Sequence, residues 1–196
     1  VSTGDWESYI AKELVAWVDR RYRTLPTRES RGIAGHSMGG YGAMRIGMKH
    51  PDVCSSVYLL SPCCLAPMRA AGGRPLDGPH PAQSIKSDEE FRKASFGVKI
   101  AIASVAAWAP NPNNPPFYLD LPAKEGVPQP EVLARMATNA PLAQLDQYIY
   151  ALRTLNGLAF DAGDKDTGIA ETVRALHARL QAYGVPHQHA IYEGDH

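Results

Sequence analysis

Hydrophobic positions along this chain change their period several times, and each change predicts an element. Trp6, Ile10, Leu14, Trp17, Val18 and Tyr22 recur at helical spacing with charges between them, and Asp5 stands where it can cap the first turn. An amphipathic helix ending near Leu25-Pro26 is expected. "RGIAG" then gives a short apolar run, and residues 38 to 49 read as a helix stopped by His50-Pro51. Three further apolar runs read as strands: "SSVYLLSP" (55–62), "GLAFDAG" (157–163) and "HQHAIYEG" (187–194). Between the last two, Ile169, Val173, Leu176, Leu180 and Tyr183 mark a helix, with Gly184 as its stop and Pro186 just beyond. Strands alternating with helices predict an α/β fold built on a mostly parallel sheet.

Residues 63 to 156 interrupt the alternation. "APMRAAGGRPLDGPHP" reads as loop; Ser87 with Glu90 is a capping box, followed by Phe91, Val98, Ile102, Val105 and Trp108 at roughly helical spacing. "APNPNNPPFYLDLP" breaks that helix, and two more helical patterns follow near 131–138 and 141–155. The segment is expected to be a helical, cap-like insertion within a single domain covering 1–196, since strands of one sheet flank it.

Composition narrows the function classes. The 196 residues carry 20 Lys plus Arg against 20 Asp plus Glu, so no net field favours a polyanion, and no nucleic-acid partner is expected. No apolar stretch reaches the roughly 18 to 20 residues a membrane span needs. The opening "VSTGDWES" has neither a basic nor an apolar leader region, and the compartment is left open. Cys54, Cys63 and Cys64 fit no disulfide framework or metal pattern and are expected to be buried or half-buried thiols.

The chemistry concentrates at "AGHSMGGYGAMRIG" (34–47). Gly35-His36-Ser37-Met38-Gly39 fits G-x-S-x-G, after an apolar strand and at the start of a helix, where the pattern forms a nucleophile elbow. The flanking glycines are expected to be required because a Cβ at either place would collide with neighbouring backbone, and Gly40, Gly42 and Gly47 to let the helix approach the sheet. The N–H of Met38 is a candidate oxyanion donor. A serine needs a base and an acid, and the chain order Ser, Asp, His is met. "FDAGDKD" offers Asp161, Asp164 and Asp166, and "YEGDH" ends in His196. Asp166 is the chosen acid and Asp164 the second; Asp161, within its strand, is expected to be committed to local hydrogen bonds. His36 is read as pointing away from the serine, His50 and His177 as solvated helix positions, and His80 as a loop residue. His187 and His189 alternate along a strand and could bind a metal, but the sequence suggests no third ligand, and neither metal nor cofactor is expected.

With Ser37, the Asp166 loop and Gly194-Asp195-His196 in place, the chain resembles the putative-esterase family of α/β hydrolases, which includes S-formylglutathione hydrolases, feruloyl esterases and mycolyltransferases. The resemblance runs through "YRTLPTRESRGIAGHSMGGYGAMRIGMKHPDVCSSVYLLSPCC", "PNPNNPPFYLDLP", "DAGDKD" and "YEGDH". It implies Ser37 as nucleophile, Asp166 as acid, His196 as base and Met38 N–H in the oxyanion hole, acting on a small-molecule ester through an acyl-enzyme. Family members carry well over a hundred residues before the elbow helix, including four strands and the loop with a second oxyanion N–H. The expectation is therefore a chain whose N-terminal strands are missing, with residues 32–35 on an unpaired sheet edge that a further segment or a partner chain would complete. Trp108, Phe117 and Tyr118 are candidates for lining a substrate pocket. Acyl transfer by the same triad and a non-catalytic binding module are the alternative functions.

Overall fold

A computed structural model describes residues 4–67 and 81–196. The stretch expected to be loop, with His80, lies largely outside the described residues. Six strands occur among them: β1 (Gly32–His36), β2 (Ser56–Leu60), β3 (Ala123–Lys124), β4 (Val127–Pro128), β5 (Gly157–Gly163) and β6 (Gln188–Tyr192). The chain forms two compact units, one holding described residues 4–5 and 81–139 and the other residues 6–67 and 140–196.

The second unit is built on a sheet of order β1-β2-β5-β6, parallel throughout. As expected, β1 lies at its edge. Alternation decides what each face does, because successive side chains point to opposite sides. Val57, Leu59, Leu158, Phe160 and Ala162 face one side and are buried under the helices Met38–Lys49 and Thr167–Ala182, which contribute Met44, Met48, Val173, Leu176 and Leu180. The opposite face, with Ala34, Ser56, Tyr58, Gln188, Ala190 and Tyr192, is exposed. A groove of about 580 Å³ lies along the N-terminal halves of the strands, lined by residues such as Ala34, Tyr58, Ala159 and Gln188 and by none of the candidate catalytic residues.

The N-terminal helix forms but faces the other way from its predicted stripe. It runs through Trp6–Ser8, Tyr9–Leu14 and Val15–Arg21, with π-helical bonding in the middle segment. Ala11 and Val15 pack with Ile46, Val53 and Cys54, while Trp6, Ile10, Leu14, Trp17 and Tyr22 are exposed. Small residues let this helix approach closely, and Glu7 latches it by binding Lys49 at 2.8 Å, His50 at 3.2 Å and Arg45 at 3.5 Å. Burial raises the Glu7 pKa, but hydrogen bonds from Lys49 and His50 with the charges of Lys49 and Arg45 outweigh it and hold the carboxyl below its ordinary value. His50, read as solvated, is instead part of this latch.

The interruption also divides differently. Leu65, Leu145, Ile149 and Leu152 belong to the sheet's core, so the segments Pro141–Gln144, Leu145–Tyr148 and Ile149–Arg153 replace the single helix expected at 141–155 and pack with the sheet. The pattern from 87 to 108 is two helices, Asp88–Lys93 and Phe96–Trp108. Ser87 caps the first by accepting from Glu90 N–H, and Ser95 restarts the second by accepting from Val98 N–H. In the unit of residues 81–139 these helices and Pro130–Ala137 enclose Ile102, Val105, Leu119, Val132 and Met136. β3 and β4 form a hairpin through Glu125 and Gly126, both at positive φ. Among the described residues no helix is long and apolar enough to cross a membrane.

Candidate active site

Ser37 joins β1 to the helix Met38–Lys49 with φ 55° and ψ −116°, a conformation that L-residues rarely adopt. Three backbone bonds over-determine it. Its N–H donates to Leu60 O at 2.9 Å, and its carbonyl accepts from Tyr41 N at 3.1 Å and Cys63 N at 3.2 Å. The tightness of the turn rests on Gly35, where an added Cβ would lie 2.2 Å from the backbone of Gly39. Gly39 itself and Gly42 face open space, which corrects the expectation that both flanking glycines and Gly42 are sterically required. Gly40 against Pro62 and Gly47 against Val57, at 2.8 and 2.6 Å from an added Cβ, are the positions that let the helix close on the sheet. Met38 opens that helix, where first-turn N–H groups have no intrahelical partner.

The segments that carry Asp166 and His196 leave the C-terminal ends of β5 and β6 together. Asp164 N–H donates to Tyr192 O at 2.8 Å, Lys165 N–H donates to Gly194 O at 2.9 Å, and the Asp164 carboxylate accepts from Gly194 N–H at 3.1 Å. At Gly163 an added Cβ would meet Gly194 O at 2.4 Å and Asp195 O at 2.5 Å, so glycine permits the two loops to touch. Asp166, at the start of the helix Thr167–Ala182, places a carboxylate oxygen 2.7 Å from His196 Nδ1. His196 Nε2 lies 2.9 Å from Ser37 Oγ. The three residues therefore form one continuous hydrogen-bonded chain, with the His196 side chain 40% exposed and that of Asp166 21%. Asp161 instead accepts from the Tyr58 hydroxyl, as a strand-bound carboxylate was expected to do.

Several neighbours were not foreseen. His36 packs against the His196 ring, centroids 4.7 Å apart, rather than standing clear of the site. Cys63 and Cys64 are half-buried beside Ser37, with sulfur atoms 2.8 Å apart. The hydrogen bond from Cys64, aided by the Ser37 hydroxyl and the charge on His196, outweighs burial and brings the Cys63 thiol down to about 7. Burial pushes the Cys54 thiol up. The only sequence sign of the Cys63 environment is its place just after a strand that neighbours the elbow strand.

Trp108 and Phe117 pack with the core of the unit formed by residues 81–139, whereas Tyr118 is half exposed and adopts a positive φ. His177, read as a solvated position, is half-buried and joins His187 and His189 in a cluster in which one ring nitrogen from each lies within 4.8 Å of the others. The third imidazole that the sequence did not suggest comes from the helix packed beside β5. Burial, with the charges on His177 and His187, holds the His189 pKa below its ordinary value.

The chain matches the profile of the Esterase family, described as "Putative esterase", over residues 1–196, and it belongs to that family. The S-formylglutathione hydrolase of Bos taurus is 40% identical over 57 residues, covering 29% of this chain and 20% of that protein. Among solved structures, a ferulic acid esterase superposes with a TM-score of 0.59 at 19% identity, covering 98% of this chain and 55% of that one. An S-formylglutathione hydrolase from Staphylococcus aureus gives a TM-score of 0.59 at 16% identity, covering 98% and 57%. These likenesses establish the α/β-hydrolase fold. The chain spans just over half the length of those solved structures.

Proposed function

We propose that this chain carries the catalytic residues of a serine esterase acting on a carboxylic ester or thioester. The reading rests on one observation, the continuous chain Ser37 Oγ to His196 Nε2 at 2.9 Å and His196 Nδ1 to Asp166 at 2.7 Å. A carboxylate at Nδ1 selects the tautomer with the proton there, which leaves the Nε2 lone pair facing the serine hydroxyl. As Ser37 Oγ attacks the carbonyl carbon, its proton passes to Nε2, and Asp166 stabilises the imidazolium. The Met38 N–H points its dipole at the oxyanion. Collapse of the tetrahedral intermediate expels the alcohol or thiol, which takes the proton from His196. Water activated by the same imidazole then releases the acid and restores Ser37.

Membership of the esterase family supports ester hydrolysis as the class of reaction. The exposed His196 supports access for the attacking water. The test is intact-mass analysis after exposure to a fluorophosphonate, with Ser37→Ala and His196→Ala alongside. One adduct on the parent, absent from the serine variant and slowed in the histidine variant, is the expected result. A folded parent that takes no adduct, or an adduct retained by Ser37→Ala, defeats the assignment. Lack of a second oxyanion donor would slow turnover by about 10²–10³ without removing the adduct.

A further inference from the structure

We propose that His177, His187 and His189 form a binding site for one divalent transition-metal ion of the zinc class, at the end of the sheet opposite the candidate active site. The three imidazoles come from two elements. His177 lies in the helix Thr167–Ala182, His187 just precedes β6, and His189 lies within it. Their donor nitrogens fall within 4.8 Å of one another, and His177 Nδ1 is 2.9 Å from His187 Nε2.

The surroundings of His187 prepare it as a ligand. Its Nδ1 is 2.7 Å from Val185 O, a carbonyl that can only accept, so Nδ1 carries the proton and Nε2 presents a lone pair. Its ring stacks on the buried Phe160, with centroids 5.4 Å apart and planes 11° apart, which restrains its orientation. This is the outer support that metal-bound histidines ordinarily require. Without an ion, His177 must place a proton on Nδ1 to bridge the 2.9 Å gap. With one, His177 keeps that proton on Nε2 instead, both facing nitrogens offer lone pairs, and the charge of the ligand set is unchanged.

Ligand nitrogens about 2.0–2.1 Å from a tetrahedral ion are about 3.4 Å apart, close to the spacing already present between His177 and His187. His189 stacks on His177 with centroids 3.6 Å apart; being exposed, it can turn its ring edge toward the ion. The fourth position is then left for water. Among the described residues no carboxylate or thiol belongs to the cluster, which favours zinc, cobalt, nickel or copper over magnesium or calcium. The ion would tie β6, which leads to His196, to the helix that begins at Asp166.

The test uses untagged protein and the metal alone. Isothermal titration with Zn²⁺ is expected to give one equivalent, accompanied by a rise in Tm. His177→Gln and His189→Gln should each weaken binding by about tenfold or more. Circular dichroism and Tm measured without metal establish that each variant is folded, and the exposed His189 provides a substitution tolerated even if His177→Gln unfolds. Co²⁺ should give the visible spectrum of a nitrogen-ligated tetrahedral ion without a sulfur charge-transfer band. Failure of the parent to bind Zn²⁺, equal binding by folded variants, or a sulfur band that places the ion at Cys63 and Cys64 would each overturn the proposal. None of these readouts depends on esterase activity.

Discussion

The two ends of the β5–β6 region each gather histidine, in opposite company. At the C-terminal end, one imidazole is held between a carboxylate and a serine hydroxyl, so its two nitrogens have different jobs. At the other end, three imidazoles face one another without an acid among them. In the proposed function the first arrangement fixes the direction of a proton transfer, and in the proposed metal site the second supplies the lone pairs that a cation would share. Residue type alone therefore says little about a histidine; its neighbours across the sheet decide what it can do.

The largest effects expected from breaking this contrast fall on the relay. Ser37→Ala and His196→Ala should each lower the rate of ester hydrolysis by about 10⁶, measured with an activated aryl ester. Asp166→Asn should cost about 10⁴, because an amide can hold the wrong tautomer of His196. Asp164→Asn keeps an acceptor for Gly194 N–H and should remain within about tenfold of the parent, as for a neutral replacement of one ordinary hydrogen bond. If the two asparagine variants lose activity equally, the acid is misassigned.

Gly163→Ala sharpens the comparison by separating the two loops at the relay end alone. A methyl 2.4 Å from Gly194 O forces a shift, so activity should fall by about 10². Urea denaturation should show a loss of about 1–3 kcal/mol. Gly168→Ala, at an open helical position, should instead stabilise by up to about 1 kcal/mol.

The smallest effect concerns Cys63. Its thiolate fraction rises as pH increases through about 7, so alkylation by iodoacetamide should level off above that range. Cys54, pushed up by burial, should lag and still be gaining at higher pH. Peptide mapping across a pH series measures both. Equal pH profiles would mean that the Cys64 and Ser37 hydrogen bonds do not act on Cys63 in solution.

Much of the site was legible because its parts are local. Ser37 announces itself by a glycine pattern between a strand and a helix, and Asp166 and His196 by their places after later strands. Which aspartate meets His196 was settled by contacts the sequence does not show: Asp166 lies against its Nδ1, whereas Asp164 joins the two loops. Gly163 gave no comparable signal, because its requirement comes from a loop 31 residues away. The aromatic candidates show the same limit: Trp108 and Phe117 are hydrophobic enough for either a pocket or a core, and they join the core of their own unit.

Periodicity by itself determined the alternation of helix and strand, and hence a parallel sheet, because each element's hydrogen bonds and side-chain spacing are local properties. The edge position of β1 came from the family resemblance and not from periodicity. Tertiary structure decided which apolar surfaces were covered. Trp6, Trp17 and Tyr22 form a helical stripe in the sequence, yet Ala11 and Val15 make the closer packing. Leu145 and Leu152 lie within the stretch read as a helical insertion, 63–156, but pack in the core of the sheet. His177 shows why such results escape a linear reading: its partners lie on a different element, and only the packing of helix against strand brings their ring nitrogens together.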